Sequence, residues 1–147
     1  MKKSLKFQIL SKVLRAIFIS KEYRLTNIFI FLLIMKYLIY VKLTSFNYVL
    51  KRVKVKKEFK IKSNSDPNSS IIKIEMICKL LSIKSCLIKS LAGFEFLKRI
   101  GLKPEIIIGV KKENHEFSSH SWLTLENKIL FQEKEKIDSY LKILRLT

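Results

Sequence analysis

The polar run SNSDPNSS, residues 63–70, constrains this chain more than any other stretch. Apart from Pro67 it contains no apolar side chain, and the Asp-Pro at its centre disfavours a helix or strand continuing through it. The boundary is therefore placed here, with a basic, hydrophobic helical segment over 1–62 and a domain over 63–147. Charge divides at the same point. Residues 1–62 carry 16 Lys/Arg against only Glu22 and Glu58, a net +14, which leaves +4 of the chain's +18 for residues 63–147. A segment that basic is drawn to anionic partners, whether phospholipid, nucleic acid or acidic protein. The total of 147 residues suits one domain with an appendage and is long enough to bury a core.

Within the first segment, Leu5, Ile9, Val13 and Ile17 recur at helical spacing and predict a basic amphipathic helix over 1–24. Lys2 and Lys3 are not followed by a compact apolar run and a small-residue cleavage site, so a signal peptide is not expected. A second helix, capped by Thr26 or Asn27, is expected to run to about Leu50. Its uninterrupted apolar stretch, Ile28 to Met35, falls short of the roughly 20 residues needed to cross a bilayer. The helix is expected to dock on the domain or on a partner, with contact to a membrane surface as the alternative. The alternating KRVKVKKEFKIK, 51–62, fits either a short edge strand or a solvated connector.

Beyond the polar run the period changes along the chain. Ser69 or Ser70 can cap a helix over 71–81. A second helix spans about Cys86 to Ile100, with Leu87, Leu91, Phe94, Leu97 and Ile100 on its apolar face, Lys98 and Arg99 in its last turn, and Gly101 at C′. From there apolar runs are punctuated by turns. LKPEIIIGVKK (102–112), FSSHSWLTL (117–125) and KILFQE (128–133) read as strands, joined by ENHE and by Glu126-Asn127. A last helix is expected over 134–145. Helix, helix, then an antiparallel meander is an α+β order, with the helices packed on the sheet.

Chemistry concentrates at two joints. Cys86 opens the second helix, where unpaired N–H groups and the positive end of the dipole favour a thiolate, the nucleophilic form. His120 lies on the middle strand, where an imidazole can take a thiol proton and return it to a leaving amine. A helix-start cysteine facing a strand histidine is the papain-like arrangement in outline. Cys78 instead falls in a helical stripe with Ile74, Ile77 and Leu81 and reads as structural. His115 sits between Glu113 and Glu116 in a charged turn and reads as solvated. Two cysteines make no disulfide framework, and two histidines give no ligand cluster. The chain is therefore expected to be cytoplasmic and reduced, with no metal or cofactor.

The run CLIKSLAGFEFLKRIGLKPEIIIGV, followed by SSHSW, resembles the lasso-peptide leader peptidases, a transglutaminase-like family of cysteine proteases. The elements that carry the resemblance are Cys86-Leu87, Lys89-Ser90-Leu91, Gly101, Gly109-Val110 and His120-Ser121-Trp122, in order over roughly 71–145. The resemblance implies a transglutaminase-like (papain-like) core and removal of the leader from a ribosomally made lasso precursor. It implies a separate asparagine-synthetase-like cyclase that then closes the ring. Fused relatives carry a leader-recognition domain. Residues 1–62 read as helical, so a separate recognition protein is expected to deliver the precursor.

The family's third residue, usually an Asp on the strand after the histidine, is matched by Gln132, with Glu133 next to it. A two-residue loop at Glu126-Asn127 sets Glu133 across from His120, whereas a three-residue loop pairs Gln132 with Trp122 on the histidine's face. Family spacing favours Gln132, whose amide oxygen can orient an imidazole, and Glu133 is the reserve. Two other readings stand beside the peptidase. One is an inactive transglutaminase-like scaffold. The other is a nucleic-acid-binding module built on the +14 segment, which the block arrangement of its aromatics disfavours, so no nucleic acid is expected.

Overall fold

The computed structural model describes residues 24–53, 66–131 and 137–147. It has an α+β architecture: helices α1 (Arg24–Leu43), α2 (Phe46–Val53), α3 (Pro67–Leu80) and α4 (Cys86–Arg99), then strands β1 (Pro104–Glu113), β2 (Glu116–Leu125), β3 (Lys128–Leu130) and β4 (Leu141–Leu146). The strands form one antiparallel sheet in the order β3-β2-β1-β4.

Within the polar run, residues 67–70 are helical. Asp66, not Ser69 or Ser70, caps α3: its carboxylate accepts from the Ser69 N–H at 3.0 Å, and Pro67 takes the first helical position, where a missing N–H costs nothing. The proline that marked a break is thus the start of a helix. In α1–α2 the single helix expected to Leu50 is broken at Thr44-Ser45. The Thr44 hydroxyl donates back to the Tyr40 carbonyl, and the Ser45 hydroxyl accepts from the Tyr48 N–H to start α2. Helix α2 ends at Val53, so residues 51–53 are helical and the rest of the alternating stretch lies outside the described residues, as does the helix expected before residue 24.

Residues 24–53, assigned by sequence to a segment expected to dock on the domain or on a partner, pack into the domain's core. Ile30, Leu33, Ile34 and Tyr37 of α1 and Val49 and Val53 of α2 are buried in one cluster with Ile74 and Cys78 of α3, Leu91, Phe94, Phe96 and Leu97 of α4, and Ile106, Ile108 and Leu123 of the sheet. The span Leu25–Leu43 is long and apolar enough to cross a membrane by length and composition, yet in this fold one face of it is interior. A buried carboxylate fastens it: Glu95 of α4 accepts from Lys36 Nζ at 2.6 Å, from the Tyr37 hydroxyl at 2.6 Å and from Arg99 at 2.7 and 3.1 Å.

Helix α4 is surrounded on most of its circumference, which is why its buried set exceeds the expected single face. Gly93 lets it approach the sheet; a Cβ there would lie 2.8 Å from a Leu123 methyl. Its end is a Schellman motif, with Gly101 at φ +91°, the Leu102 N–H on the Leu97 carbonyl and the Gly101 N–H on the Lys98 carbonyl.

Both hairpins turn on two residues with positive φ, Asn114-His115 and Glu126-Asn127, which match the twist of the strands they join. The helix expected over 134–145 is corrected: residues 141–146 form β4, paired with β1. Leu and Lys favour a helix on propensity alone, but pairing with β1 turns Leu144 and Leu146 onto the main core and prevails. The far face of the sheet carries a second cluster of Ile107, Trp122 and Ile137.

Candidate active site

The Ser85 side chain caps α4 by accepting from the Ile88 N–H, and Cys86 follows as the first helical residue, half-buried. The first N–H groups of a helix lack intrahelical partners, so the thiol stands beside a small concentration of donors. No acidic residue lies in that first turn. One turn on, the buried Ser90 hydroxyl donates to the Ser121 carbonyl at 3.3 Å, tying the start of α4 to the strand segment next to His120.

His120 is in β2, half-buried and paired across the ladder with Gly109. Strand alternation sets its side chain with Trp122, away from Ser121 and Leu123. Its ring lies 6.4 Å from that of Trp122 at an interplanar angle of 25°, and 5.4 Å from that of Tyr140 at 37°. The glycine opposite is required by this packing: a Cβ at 109 would lie 2.9 Å from both the Trp122 ring and the Tyr140 Cβ.

Cys86 and His120 line one cavity of about 290 Å³, together with Leu87, Ser119 and Ser121, and with Phe46, Ile108 and Ile143 from three other elements. Both residues singled out by the sequence line this space. Gln132 and Glu133 fall outside the described residues. The loop before them has the two-residue form, with Leu125 opposite Lys128 and Leu123 opposite Leu130. Strand β3 ends at Leu130, and Phe131 adopts φ +72°.

Cys78 is fully buried in the main core, and burial pushes its thiol up to about 11 against a partial downward pull from Lys89. It has the character of a small apolar residue. His115 is exposed in its turn. Among the described residues no group of three His, Cys, Asp or Glu side chains is placed to hold a metal ion.

Two features of the site escaped sequence reasoning. Tyr140 stacks beside His120 although it lies in a segment expected to be helical; only the strand assignment of 141–146 brings it there. Ser121 was visible only as part of a motif. It is buried at the cavity wall, and its hydroxyl has no hydrogen-bond partner among the described residues.

The model of the transglutaminase-like superfamily matches residues 46–145, from the start of α2 into β4. No curated protein and no solved structure matches. The matched range covers Cys86, His120 and the elements that carry them, and on that match the chain belongs to the transglutaminase-like superfamily, which includes cysteine proteases.

Proposed function

We propose that the protein is a cysteine endopeptidase that removes the leader from a lasso-peptide precursor. The observation that carries a peptidase reading is the shared cavity of Cys86 and His120 in a transglutaminase-like domain. The motif run from Cys86-Leu87 to His120-Ser121-Trp122 is what points to leader removal in particular.

In this reading the His120 imidazole takes the Cys86 proton and Sγ attacks the scissile carbonyl. The oxyanion is met by the Cys86 N–H at the head of α4. When the C–N bond breaks, the imidazolium gives its proton to the departing amine, which is the new N-terminus of the core peptide. Water, deprotonated by the same imidazole, attacks the thioester. The leader leaves with a free carboxylate, and Cys86 recovers its proton. Gln132, from family spacing, is the proposed orienter of His120, with Glu133 as the reserve. Delivery by a separate recognition protein and ring closure by a separate cyclase complete the proposal, in the cytoplasm.

The test is reconstitution of the full chain with a lasso precursor and its recognition protein, read by mass spectrometry. The expected products are leader acid and core amine in equal amounts. Cys86→Ala should abolish them, and His120→Ala should lower their rate by about three orders of magnitude. Full cleavage by Cys86→Ala would overturn the peptidase assignment.

A further inference from the structure

Helix α1 is apolar on two opposite faces. One meets the core through Ile30, Ile34 and Tyr37. On the other, Leu25, Ile28, Leu32, Met35, Ile39 and Leu43 follow one another in steps of three and four, the spacing of a single helical stripe. Four of the six are well exposed: Leu25 at 83%, Leu32 at 57%, Ile39 at 48% and Leu43 at 78%. At 1.5 Å per residue the stripe is about 27 Å long. A helix that lies on a domain ordinarily turns polar side chains to the solvent, and an exposed apolar stripe marks an interaction site.

Charge brackets the stripe. Residues 1–24 hold seven Lys/Arg against Glu22, and residues 51–62 hold seven against Glu58, a net +6 on each side. The only charged residues between them are Lys36 and Lys42. Lys36 is paired with Glu95, and Lys42 is exposed beside Leu43 at the end of the stripe. Lys51 and Arg52 of α2 are exposed just beyond it.

We propose that α1 docks the protein on a bilayer surface rich in anionic phospholipid. The helix lies in the plane of the surface, with the stripe in the boundary between headgroups and acyl chains and the flanking cations among the headgroups. It does not cross the bilayer, because Ile30, Ile34 and Tyr37 hold its other face in the core and the Lys36 and Tyr37 side chains tie it to Glu95 of α4. A fluid apolar boundary suits this stripe better than a protein partner does. Protein interfaces carry about one hydrogen bond per 100–200 Å², which fixes their register, and the six side chains of the stripe offer no strong donor or acceptor. A second copy would also bring two chains of net +18 together. Nucleic acid would satisfy the charge and leave the stripe uncovered. The proposal is independent of the peptidase reading.

The test is flotation of the full-length protein with vesicles of phosphatidylcholine alone, or with about one third phosphatidylglycerol. In about 0.1 M salt the anionic vesicles should bind about a hundredfold more tightly than the neutral ones, and about 0.5 M salt should remove most of that difference. The double variant Leu32→Glu, Ile39→Glu should bind the anionic vesicles at least about tenfold more weakly, since it sets two carboxylates in the apolar boundary. Leu32→Trp gives a second reading that keeps the stripe apolar. Its added indole should be quenched by lipids brominated in their acyl chains. Trp122 is buried on the far face of the sheet, so the parent protein should not be quenched. No binding to anionic vesicles in about 0.1 M salt would overturn the proposal. So would an unquenched Leu32→Trp on bound vesicles together with undiminished binding of the double variant, which would show the basic segments acting alone. A dimer of the parent that the double variant loses, with vesicles unbound, would assign the stripe to a second copy and overturn it as well.

Discussion

Cys78 and Cys86 are separated by eight positions and by their surroundings. Cys78 is sealed in the core with its thiol raised to about 11 by burial, whereas Cys86 is half-buried at the wall of a cavity. At about pH 8 the folded protein should therefore take up one equivalent of iodoacetamide, on Cys86, and Cys78 should react only on unfolding. Peptide mapping of the alkylated protein decides this, and modification of Cys78 at an equal rate would contradict it. Ser121 has the opposite problem: a hydroxyl buried without a partner, while its carbonyl is bound by Ser90. Ser121→Ala keeps the carbonyl and removes the unsatisfied group, so it should raise the stability measured by urea unfolding by about 1 kcal/mol. A loss of stability would show that the hydroxyl has a use in the fold. The cysteine distinction was readable from sequence, since Cys78 lies in an apolar helical stripe and Cys86 follows a serine cap. The Ser121 defect was not, because the sequence does not say which strand residues face a crowded helix.

Between elements, the decisive contact is Glu95. Burial opposes its charge, but hydrogen bonds from Lys36, Tyr37 and Arg99 outweigh that and hold its carboxyl below the usual 4.5. Burial, with the carboxylate beside it, pushes the Tyr37 hydroxyl well up, so it remains a donor. Removing the charge leaves two cations facing a neutral amide, and Glu95→Gln should cost on the order of 3 kcal/mol. The sign of the pH dependence follows from the lowered folded pKa. Stability from Glu95 is complete above about 4.5 and is lost as pH falls through its folded value. Urea midpoints across that range should fall less steeply for Glu95→Gln than for the parent; parallel curves would contradict this. Nothing in α4 announced that contact, because a glutamate four residues before an arginine reads as an ordinary surface pair. The sequence did place the boundaries of α4, β1 and β2 within about two residues, a margin normal for element ends, because a serine cap, a C′ glycine and two hairpin turns punctuate them. It misread β4, where non-local pairing with β1 overrides helical propensity, and it misread Asp66-Pro67, where a break signal and a helix-start signal share one dipeptide.

At the scale of the whole molecule, composition separated two parts that the core joins. The charge step at residue 62 is real, but Ile30, Ile34, Tyr37, Val49 and Val53 are among the buried residues. Charge is a property of the solvated faces and says little about which apolar faces meet. Deleting residues 1–62 should therefore abolish cooperative thermal unfolding by circular dichroism, since it uncovers α4 and leaves Glu95 without Lys36 and Tyr37. A truncated protein with a sharp transition would show that the domain does begin after the polar run. The α+β class was legible in the sequence, and Cys86 and His120, the pair the sequence singles out, line one cavity. Gln132 and Glu133, between which the register of the second hairpin was to choose, lie outside the described residues. The central claim is that Cys86 carries the peptide bond's acyl group, and intact-mass analysis of an acid-quenched reaction with precursor and recognition protein tests it most directly. The account predicts a transient adduct of leader mass less one water, mapped to Cys86 and absent from Cys86→Ala. Cleavage proceeding with that adduct on another residue, or persisting in Cys86→Ala, would contradict it.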